Sequence, residues 1–552
     1  MTQPATPDTV VASFDNVSLE TGGQTAQLER RGDEFWVNAV DQSWEQAKFG
    51  EWARTRGTTA PDPFDSEQPA PRVEGKVVMT TGSHHFQAYW IKGKEGRELW
   101  QFPWRYNIAE ERWVHRKDVF LTPPEWRPGM WFRVWNSQCI YCHSTGPYPG
   151  KDLRSGVMEQ TEVTELGIAC EACHGPAEDH IAFHETLSLE YAKKENLVDP
   201  IINPAKLPHE ASSQICGSCH SHFTHGDPEL SVHGPQFRPG EDLFKFGKLE
   251  TAPPRPQVMT RFWGDGFNRS GGREFSGMSA SKCYTQGEMA CTSCHSMHQS
   301  DPNDQLSETG LSAEACLQCH AEYRDEKTLT EHTHHTANSS GSDCYNCHMP
   351  HTNYALYKGI RSHRVGVPKV APLESNARPN ACNLCHLDQT QLWTSEHLKE
   401  WYDISSPYLF PDDEKIAVGP LWALKGDAGQ RVIMAWHLGW QPAREASGSE
   451  WMVPVIMQLM KDPYAAVRWI AYDSLRKTPL FADTKFDFDA EEEERNRTLS
   501  EIDAQMQSLE SSVTHDTSAR LRLLLDENNE QDIKRIKELI LFRDNRMVSG
   551  VE

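Results

Sequence analysis

The pattern of hydrophobic and polar positions divides the chain into parts with different periodicity. Up to about residue 125, short runs rich in Val, Trp, Tyr and Phe, such as KVVMTTGSHHFQAYWIKG, are separated by Gly, Glu and Lys. Such runs are typical of β-strands joined by turns. Beyond residue 390 the apolar runs are helical in pattern, and the segment between these two parts contains little aliphatic sequence. The pattern therefore predicts a mixed fold with a β-rich N-terminal domain and a helical C-terminal part.

The helical part contains two similar units, GPLWALKGDAGQRVIMAWHLGW and VPVIMQLMKDPYAAVRWIAYDSLRKTP. Each is predicted to form an apolar helix, a turn containing Asp427 or Asp462, and a second helix with Arg431 or Arg468 near its start. These units resemble HEAT-type helical repeats. Because two repeats are too few to be stable alone, we expect them to pack against the preceding domain. The last part, with the run DAEEEERNRTLSEIDAQMQSLE, is predicted to be helical and mostly solvated.

Composition narrows the classes of function. Only 38% of the residues are hydrophobic, whereas the chain has 15 cysteines and 25 histidines among 552 residues. Something other than aliphatic side chains is therefore expected to form part of the core. The formal net charge of -24 argues against a nucleic-acid partner, which needs a basic footprint, and favours cationic partner surfaces. No apolar run is long enough to predict a transmembrane helix.

One pentapeptide pattern, C-x-x-C-H, uses fourteen of the fifteen cysteines and leaves only Cys283 outside it. Its seven copies, numbered here as motifs 1 to 7 in chain order, are Cys139, Cys142, His143; Cys170, Cys173, His174; Cys216, Cys219, His220; Cys291, Cys294, His295; Cys316, Cys319, His320; Cys344, Cys347, His348; and Cys382, Cys385, His386.

This pattern is the attachment signal for c-type haem. Two thiols three residues apart lie on one side of a helical turn, where they can bond to the two vinyl groups of one haem, and the next imidazole ligates the iron. A zinc ribbon does not require a histidine after each second cysteine, and a disulfide framework does not require any. A thioredoxin-like dithiol occurs once and not seven times. The sequence therefore predicts seven covalent haems that form the core of a mainly helical and irregular cytochrome domain.

The predicted domains are thus a β-rich domain (1–125), a multihaem cytochrome c domain (126–390), HEAT-like helical repeats (391–480) and a charged helical segment (481–552).

Further histidines outside the motifs are candidates for the second axial ligand of each iron. His180 follows motif 2 after a Gly-Pro break, so it cannot readily reach the iron of His174 and is expected to ligate a neighbouring haem. A surface histidine in a loop is the alternative. The other candidates are His298, His332, His335 and His363, which lie near motifs, and His84 and His85 in a strand-like segment.

The ordered set of segments WNSQCIYCHST, ELGIACEACHGPAEDH, QICGSCH, GREFSGM…GEMACTSCHSMH, HTHH…SGSDCYNCHMPHTNYAL, IRSHRV and RPNACNLCHLDQT resembles a family of bacterial multihaem c-type cytochromes. Members of this family are large periplasmic or secreted proteins, often followed by HEAT or tetratricopeptide repeats. The resemblance implies haem at the seven motifs and His180, His298, His335 and His363 as distal ligands. It does not imply a particular substrate.

The N-terminal segment carries no predicted export signal, because it lacks a basic start and an apolar core. Covalent haem attachment nevertheless takes place outside the cytoplasm, so a periplasmic or other extracytoplasmic location is expected. Relatives in the resembled family have another C-x-x-C-H before a stretch similar to MTQPATPDTV. We therefore expect in-frame codons upstream of Met1 for a signal peptide and an eighth motif.

Two functions agree with these features. The first is electron transfer between donor and acceptor proteins through mostly bis-histidine haems, with a possible docking surface on the helical repeats. The second is an oxidoreductase that acts on small nitrogen or sulfur compounds at one haem with an open distal position. The variant motif C-x-x-C-K of nitrite reductases is absent, and the histidines are numerous enough to close every iron. Electron transfer is therefore favoured.

Overall fold

The computed structural model describes residues 2–21, 23–65, 69–122, 125–187, 191, 195, 197–250, 261–298, 300–354, 357–372, 376–507, 517–525, 531–546 and 548. Within this part of the chain, no helix is both long enough and apolar enough to span a membrane.

The N-terminal part forms an eight-stranded antiparallel sheet. Strands β2 to β8 are neighbours in chain order, and β1 pairs with β5. A 14-residue helix, α1 (Gln42–Thr55), connects β4 to β5. The predicted β-rich N-terminal domain is confirmed. The strands are β1 (Thr2–Pro4), β2 (Val17–Thr21), β3 (Gln24–Arg31), β4 (Glu34–Val40), β5 (Arg72–Thr81), β6 (Phe86–Lys92), β7 (Leu99–Asn107) and β8 (Arg112–His115).

Both faces of the sheet bury apolar side chains around β6, where every residue except the last is buried. Alternate residues of a strand point to opposite faces. Tyr89 and its neighbours face an aromatic core, whereas Trp90 packs in a second cluster with Met79, Trp135 and Ile140. Because Ile140 directly follows Cys139, this second cluster attaches motif 1 to the sheet.

The middle of the chain consists of short helices, single 3-10 turns and three two-stranded hairpins. The helices are α2 (Arg116–Val119), α3 (Ile140–His143), α4 (Cys170–His174), α5 (Glu178–Thr186), α6 (His209–Gly217), α7 (Leu230–His233), α8 (Glu274–Met278), α9 (Lys282–Thr285), α10 (Glu314–Leu317), α11 (Glu326–Thr333) and α12 (Cys344–His348). The hairpins pair β9 (Ser144–Tyr148) with β10 (Glu162–Leu166), β11 (Phe223–His225) with β12 (Gly247–Leu249), and β13 (His351–Tyr354) with β14 (Lys358–Arg361). The 3-10 helices are Trp135–Ser137, Pro204–Lys206, Leu243–Lys245, Cys291–Ser293, Thr309–Leu311, Ala321–Arg324, Ser340–Ser342 and Cys382–Leu384.

Aliphatic burial is sparse in this middle part. Between Tyr284 and Tyr357, Ala290 is the one buried hydrophobic residue of the described chain, although motifs 4, 5 and 6 all lie there. Large apolar side chains in the same stretch remain exposed, with Leu311 at 71% and Met297 at 52%. A segment of this length normally needs a substantial apolar core to offset its conformational entropy. The sparse core is therefore consistent with the prediction that porphyrins supply the missing apolar contacts.

The C-terminal part is helical, as predicted, and is the most densely buried part of the chain. Its helices are α13 (Gln391–Tyr402), α14 (Pro411–Lys415), α15 (Val418–Lys425), α16 (Ala428–Leu438), α17 (Gln441–Ser447), α18 (Met452–Met460), α19 (Ala465–Arg476), α20 (Glu492–Gln507), α21 (Thr517–Arg522) and α22 (Ile533–Leu541), with a 3-10 turn at Pro479–Phe481. Helices α15, α16, α18 and α19 pack against one another around a core that contains Trp422 and Tyr464.

The four residues that the sequence placed at the turns form a buried network. Asp427 caps α16 by accepting from the backbone N–H of Gln430 at 3.0 Å. Arg431 donates from Nε to Asp462 Oδ2 at 2.7 Å, and neither side chain is exposed to solvent. Arg468 donates to the carbonyl of Asp462 at 2.8 Å. The turns therefore join the two predicted units, whose classification as HEAT-like stays a prediction.

The helical part packs against the middle of the chain. Its core includes Trp263, Leu384 and Leu387, the last of which directly follows motif 7. A buried ion pair links Arg269 to Asp427. This packing positions the end of the motif region.

The charged C-terminal segment is mostly exposed or half-buried in the described residues, but it buries a few apolar side chains. Helix α20 is mostly exposed, but Leu499 and Ile502 are buried. On α22, Ile536 and Leu539 are buried in the same core as α15. Residues three or four apart share one helix face, so a charged helix can bury a narrow apolar stripe.

Candidate haem site

Each motif adopts a helical turn or a short helix. In five motifs, the backbone N–H of the histidine donates to the carbonyl of the first cysteine at 2.8 to 3.0 Å. Motifs 2 and 6 coincide with the helices α4 and α12. Because residues three and four apart lie on one side of a helix, both thiols and the imidazole of a motif share one side. That arrangement is the one a covalently attached haem requires. The five histidines are His143, His220, His295, His320 and His386.

Four motif histidines face a second histidine at the same separation. In each case the ring centroids are 6.1 Å apart and the ring planes are within 29° of parallel. Two imidazoles on opposite sides of one metal, each bonded at about 2 Å, would have ring centres about 6 Å apart. The pairs are His174 with His298, His295 with His363, His348 with His332, and His386 with His335.

Hydrogen bonds orient the paired rings. Three motif histidines have Nδ1 within hydrogen-bond distance of a backbone carbonyl: His174 with Ile202 at 2.7 Å, His348 with Gly366 at 2.8 Å, and His295 with Asp304 at 3.1 Å. An Nδ1–H that donates in this way leaves Nε2 as the ligating nitrogen. Two of the facing rings are held similarly, with His363 Nδ1 3.0 Å from the carbonyl of Arg361 and His335 Nδ1 2.6 Å from that of Thr333.

The donor set therefore fits haem. The thiols of each motif lie beside an imidazole that is oriented for iron, and four sites have a second imidazole at the separation that one iron requires. These residues would hold the porphyrin and both axial positions of its iron.

The other three motif histidines, His143, His220 and His320, lie outside these four pairs. The surroundings of His220 differ from those of the paired rings, because its Nδ1 is 3.1 Å from the carboxylate oxygen Oε2 of Glu274. The hydrogen bond raises the pKa of His220 to about 9. Burial favours the neutral form of Glu274, but the hydrogen bond and charge of His220 outweigh it and lower the pKa of Glu274 to about 2. Glu274 is therefore a carboxylate over the whole neutral range.

His180 is the third residue of α5, and Gly175, with φ of +74°, ends the preceding helix α4. Its Nδ1 is 2.7 Å from Asp199 Oδ1, and His184 Nε2 is 2.8 Å from the other oxygen of that carboxylate. The hydrogen bond from His180 is the main cause of the pKa of Asp199 lying well below its usual range. The role of His180 as a haem ligand stays a prediction.

The two N-terminal candidates differ in their surroundings. His84 is exposed and has Nδ1 2.8 Å from the hydroxyl of Ser83. His85 reaches the middle of the chain, where both ring nitrogens are 3.2 Å from Nζ of Lys358. Burial is the main cause of the lowered pKa of His85, and the charge of Lys358 adds to it. The structure therefore brings His85, but not His84, to the motif-bearing part.

Thiols of different motifs lie close together. The thiols of Cys142 and Cys219, of Cys216 and Cys291, and of Cys316 and Cys344 interact with each other. Longer-range electrostatic interactions connect Cys173 with Cys216 and Cys219, Cys294 with Cys316, and Cys347 with Cys382 and Cys385. Motif 3 therefore lies near motifs 1, 2 and 4, and motifs 4 to 7 follow one another in chain order.

Sequence reasoning did not find Glu274. The segment GREFSGM lies 54 residues after His220, and nothing in its composition marks one glutamate as the partner of a motif histidine. Its proximity depends on a tertiary contact between α6 and α8.

Comparisons with known proteins agree with this site. Residues 132–175, which span motifs 1 and 2, match the family of cytochrome c554 and c-prime, and residues 284–325, which span motifs 4 and 5, match the doubled CXXCH motif. The multiheme cytochrome MtrA of Shewanella baltica (strain OS185) is 27% identical over 251 residues, or 41% of this chain and 66% of that protein. The match thus spans slightly less than two thirds of the relative. No solved structure gives a significant match.

Together, the repeated motifs and these matches show that the chain is similar to multihaem c-type cytochromes. The motifs and the matches support covalent haem c, with its iron, as the cofactor.

Proposed function

We propose that this protein is an extracytoplasmic electron carrier whose seven motifs hold seven covalent haems in a continuous array, with most irons ligated by two histidines. The four histidine pairs at 6.1 Å carry the proposal. His180, His84 and His85 are weaker candidates for ligands, because the contacts described above hold them to Asp199, Ser83 and Lys358.

The histidine pairs favour electron transfer over chemistry on a bound substrate. Haem iron supplies a one-electron couple, and the facing histidines would occupy both axial positions and exclude a substrate from the metal. The hydrogen bonds on Nδ1 keep the rings in place in both oxidation states. Little rearrangement would therefore accompany each electron.

The contacts between thiols support an order for the array. Each thiol becomes a thioether at the edge of its own haem, so neighbouring thiols imply neighbouring haem edges. The contacts favour a path from motif 3 through motifs 4, 5 and 6 to motif 7, with motifs 1 and 2 as two branches at motif 3.

The partners proposed for this carrier are a donor and an acceptor protein. The net charge of -24 favours basic docking surfaces on them. The relative is named a multiheme cytochrome, which agrees with such partners. We also infer a periplasmic or other extracytoplasmic location, because c-type haem is attached outside the cytoplasm. The HEAT-like repeats would offer a docking surface.

A second function, an oxidoreductase of small nitrogen or sulfur compounds, has one observation in its favour. Among the described residues, His220 and His320 lie outside the histidine pairs at 6.1 Å, so the haem of motif 3 or motif 5 is the candidate for an open distal position.

Haem stoichiometry tests the proposal. After expression with a secretion signal and haem-ligation machinery, intact-mass spectrometry should show seven covalent haems, because every motif has its complete Cys-Cys-His set. Replacing Cys382 and Cys385 with serine should remove one haem, whereas Cys283→Ser should remove none. A full-length product without covalent haem would refute the proposal.

The resting spectrum distinguishes the two functions. An electron carrier in which every haem iron has two protein ligands should be entirely low-spin by electron paramagnetic resonance and should not bind cyanide. A high-spin signal that cyanide converts to low-spin would instead favour the oxidoreductase.

A further inference from the structure

The proximal histidine of motif 3 has a different hydrogen-bond acceptor from three other motif histidines. His174, His295 and His348 each have Nδ1 near a neutral backbone carbonyl. His220 has Nδ1 3.1 Å from a carboxylate oxygen of Glu274. At motif 3, therefore, a full negative charge lies within hydrogen-bond distance of the proximal ring, which is not the case for these three histidines.

The fold holds Glu274 firmly in this place. Glu274 is the first residue of α8, and its Oε1 accepts from the backbone N–H of Gly272 at 2.6 Å. The next residue, Phe275, donates its N–H to the carbonyl of His220 at 2.9 Å. Gly217 in motif 3 makes this approach possible, because a Cβ there would lie 2.4 Å from the ring of Phe275.

Motif 5 also has a glutamate near its histidine and can be compared with motif 3. Glu322 also lies near a motif histidine, but its Oε1 is 3.8 Å from Nδ1 of His320, beyond hydrogen-bond distance. Its side chain is 58% exposed, whereas that of Glu274 is 21% exposed. Solvent screens the first carboxylate much more than the second.

We propose that Glu274 is a positioning residue that makes the haem of motif 3 the lowest-potential centre of the array. This inference rests on the proposed function, since it requires haem at motif 3 with His220 as its ligand.

The reason is electrostatic. A carboxylate that accepts the Nδ1–H bond increases the negative charge on the imidazole and makes it a stronger donor to iron. Oxidised haem iron carries one more positive charge than reduced iron, so the carboxylate stabilises the oxidised form more. A backbone carbonyl has only a dipole and has a smaller effect.

Because motif 3 lies at the branch of the array, a low reduction potential there affects how electrons move between the other haems. Its thiols contact those of motifs 1 and 4 and lie beside Cys173 of motif 2. A low-potential centre at this branch retains an electron least. It would separate the haems of motifs 1 and 2 from the path through motifs 4 to 7, so that electrons pass through the branch without accumulating there.

Glu274→Gln tests the inference, because glutamine keeps the shape and an acceptor oxygen but removes the charge. Glu322→Gln is the matched control. Haem content by mass spectrometry and a potentiometric titration followed at the haem absorption bands are measured on all three proteins.

In Glu274→Gln, we expect the ratio of reduced to oxidised haem in the lowest-potential component to rise at least tenfold at a fixed potential, which corresponds to about 59 mV for one electron. A smaller shift is expected in the haem of motif 4, because Glu274 also interacts with His363. Glu322→Gln should leave every component within about twofold of the wild type.

An unchanged lowest component in a fully loaded Glu274→Gln protein would overturn the inference but leave the proposed function intact. A larger shift in another component, or an equal shift in Glu322→Gln, would also overturn it. If Glu274→Gln does not load haem, Glu274→Asp decides: the retracted carboxylate should raise the lowest component, and no rise refutes the inference. A wild-type protein without haem would refute the inference and the proposed function together.

Discussion

Replacing His332 and His335 together with alanine should convert two of the seven haems from low-spin to high-spin while all seven stay covalently attached. His332 faces His348 of motif 6, and His335 faces His386 of motif 7, both with ring centroids 6.1 Å apart. Loss of one of two axial imidazoles leaves a five-coordinate iron, which is high-spin. Each single variant should convert one haem. Electron paramagnetic resonance and the visible spectrum provide the measurement.

His334 offers a control within the same segment. Its ring stacks on Trp401 at 4.2 Å, and its backbone lies in the left-handed region with φ of 55°. Asparagine tolerates that conformation, so His334→Asn should leave every haem low-spin. If the double variant also remains fully low-spin, neither histidine ligates iron and the assignment of distal ligands is wrong.

Asp462→Ala should lower the free energy of unfolding of the helical part by about 3–5 kcal/mol, because it leaves a buried charge without its partner. Arg431 and Asp462 are both fully buried, with Nε and Oδ2 2.7 Å apart. Arg543 also lies 3.4 Å from Asp462 and is only 7% exposed. Removal of the carboxylate therefore leaves the two buried guanidinium groups without this anionic partner.

Loss of helical circular dichroism in urea measures this effect. Lys399→Ala is the matched control, because it removes the exposed pair with Asp403, whose side chain is 87% exposed. Exposed pairs contribute about 0–1 kcal/mol, so the control should unfold close to the wild-type midpoint. Similar midpoints for Asp462→Ala and the wild type would show that the buried pair does not stabilise this part.

Several sequence predictions depended on local patterns and agree with the structure. Alternation of large apolar residues predicted the β-rich N-terminal domain, and β4 buries Phe35, Val37 and Ala39 on one face. Helical periodicity predicted the C-terminal helices. The charged composition of the last segment predicted a mostly solvated helix, but it did not indicate that a few apolar residues, such as Ile536, are buried in the helical core.

The pairing of distal histidines could be predicted only in part. Proximity to a motif selected four residues whose rings face a motif histidine in the structure, but it did not indicate which motif each one faces. His298 follows motif 4 by three residues, yet its ring faces His174 of motif 2. His180 follows motif 2 in the same way, yet its ring lies against His184 and Asp199.

The sequence by itself determined the covalent chemistry, because spacing of three and four residues within one helical turn is enough to bring two thiols and an imidazole together. Only the tertiary structure decided what lies opposite each imidazole, which motifs are neighbours, and that Glu274 reaches His220 across 54 residues. These contacts depend on how hairpins and short helices pack around one another over long sequence separations. Local sequence patterns do not indicate this long-range packing. The motifs could therefore be identified from the sequence, whereas the order of the haem array and the charges around it could not.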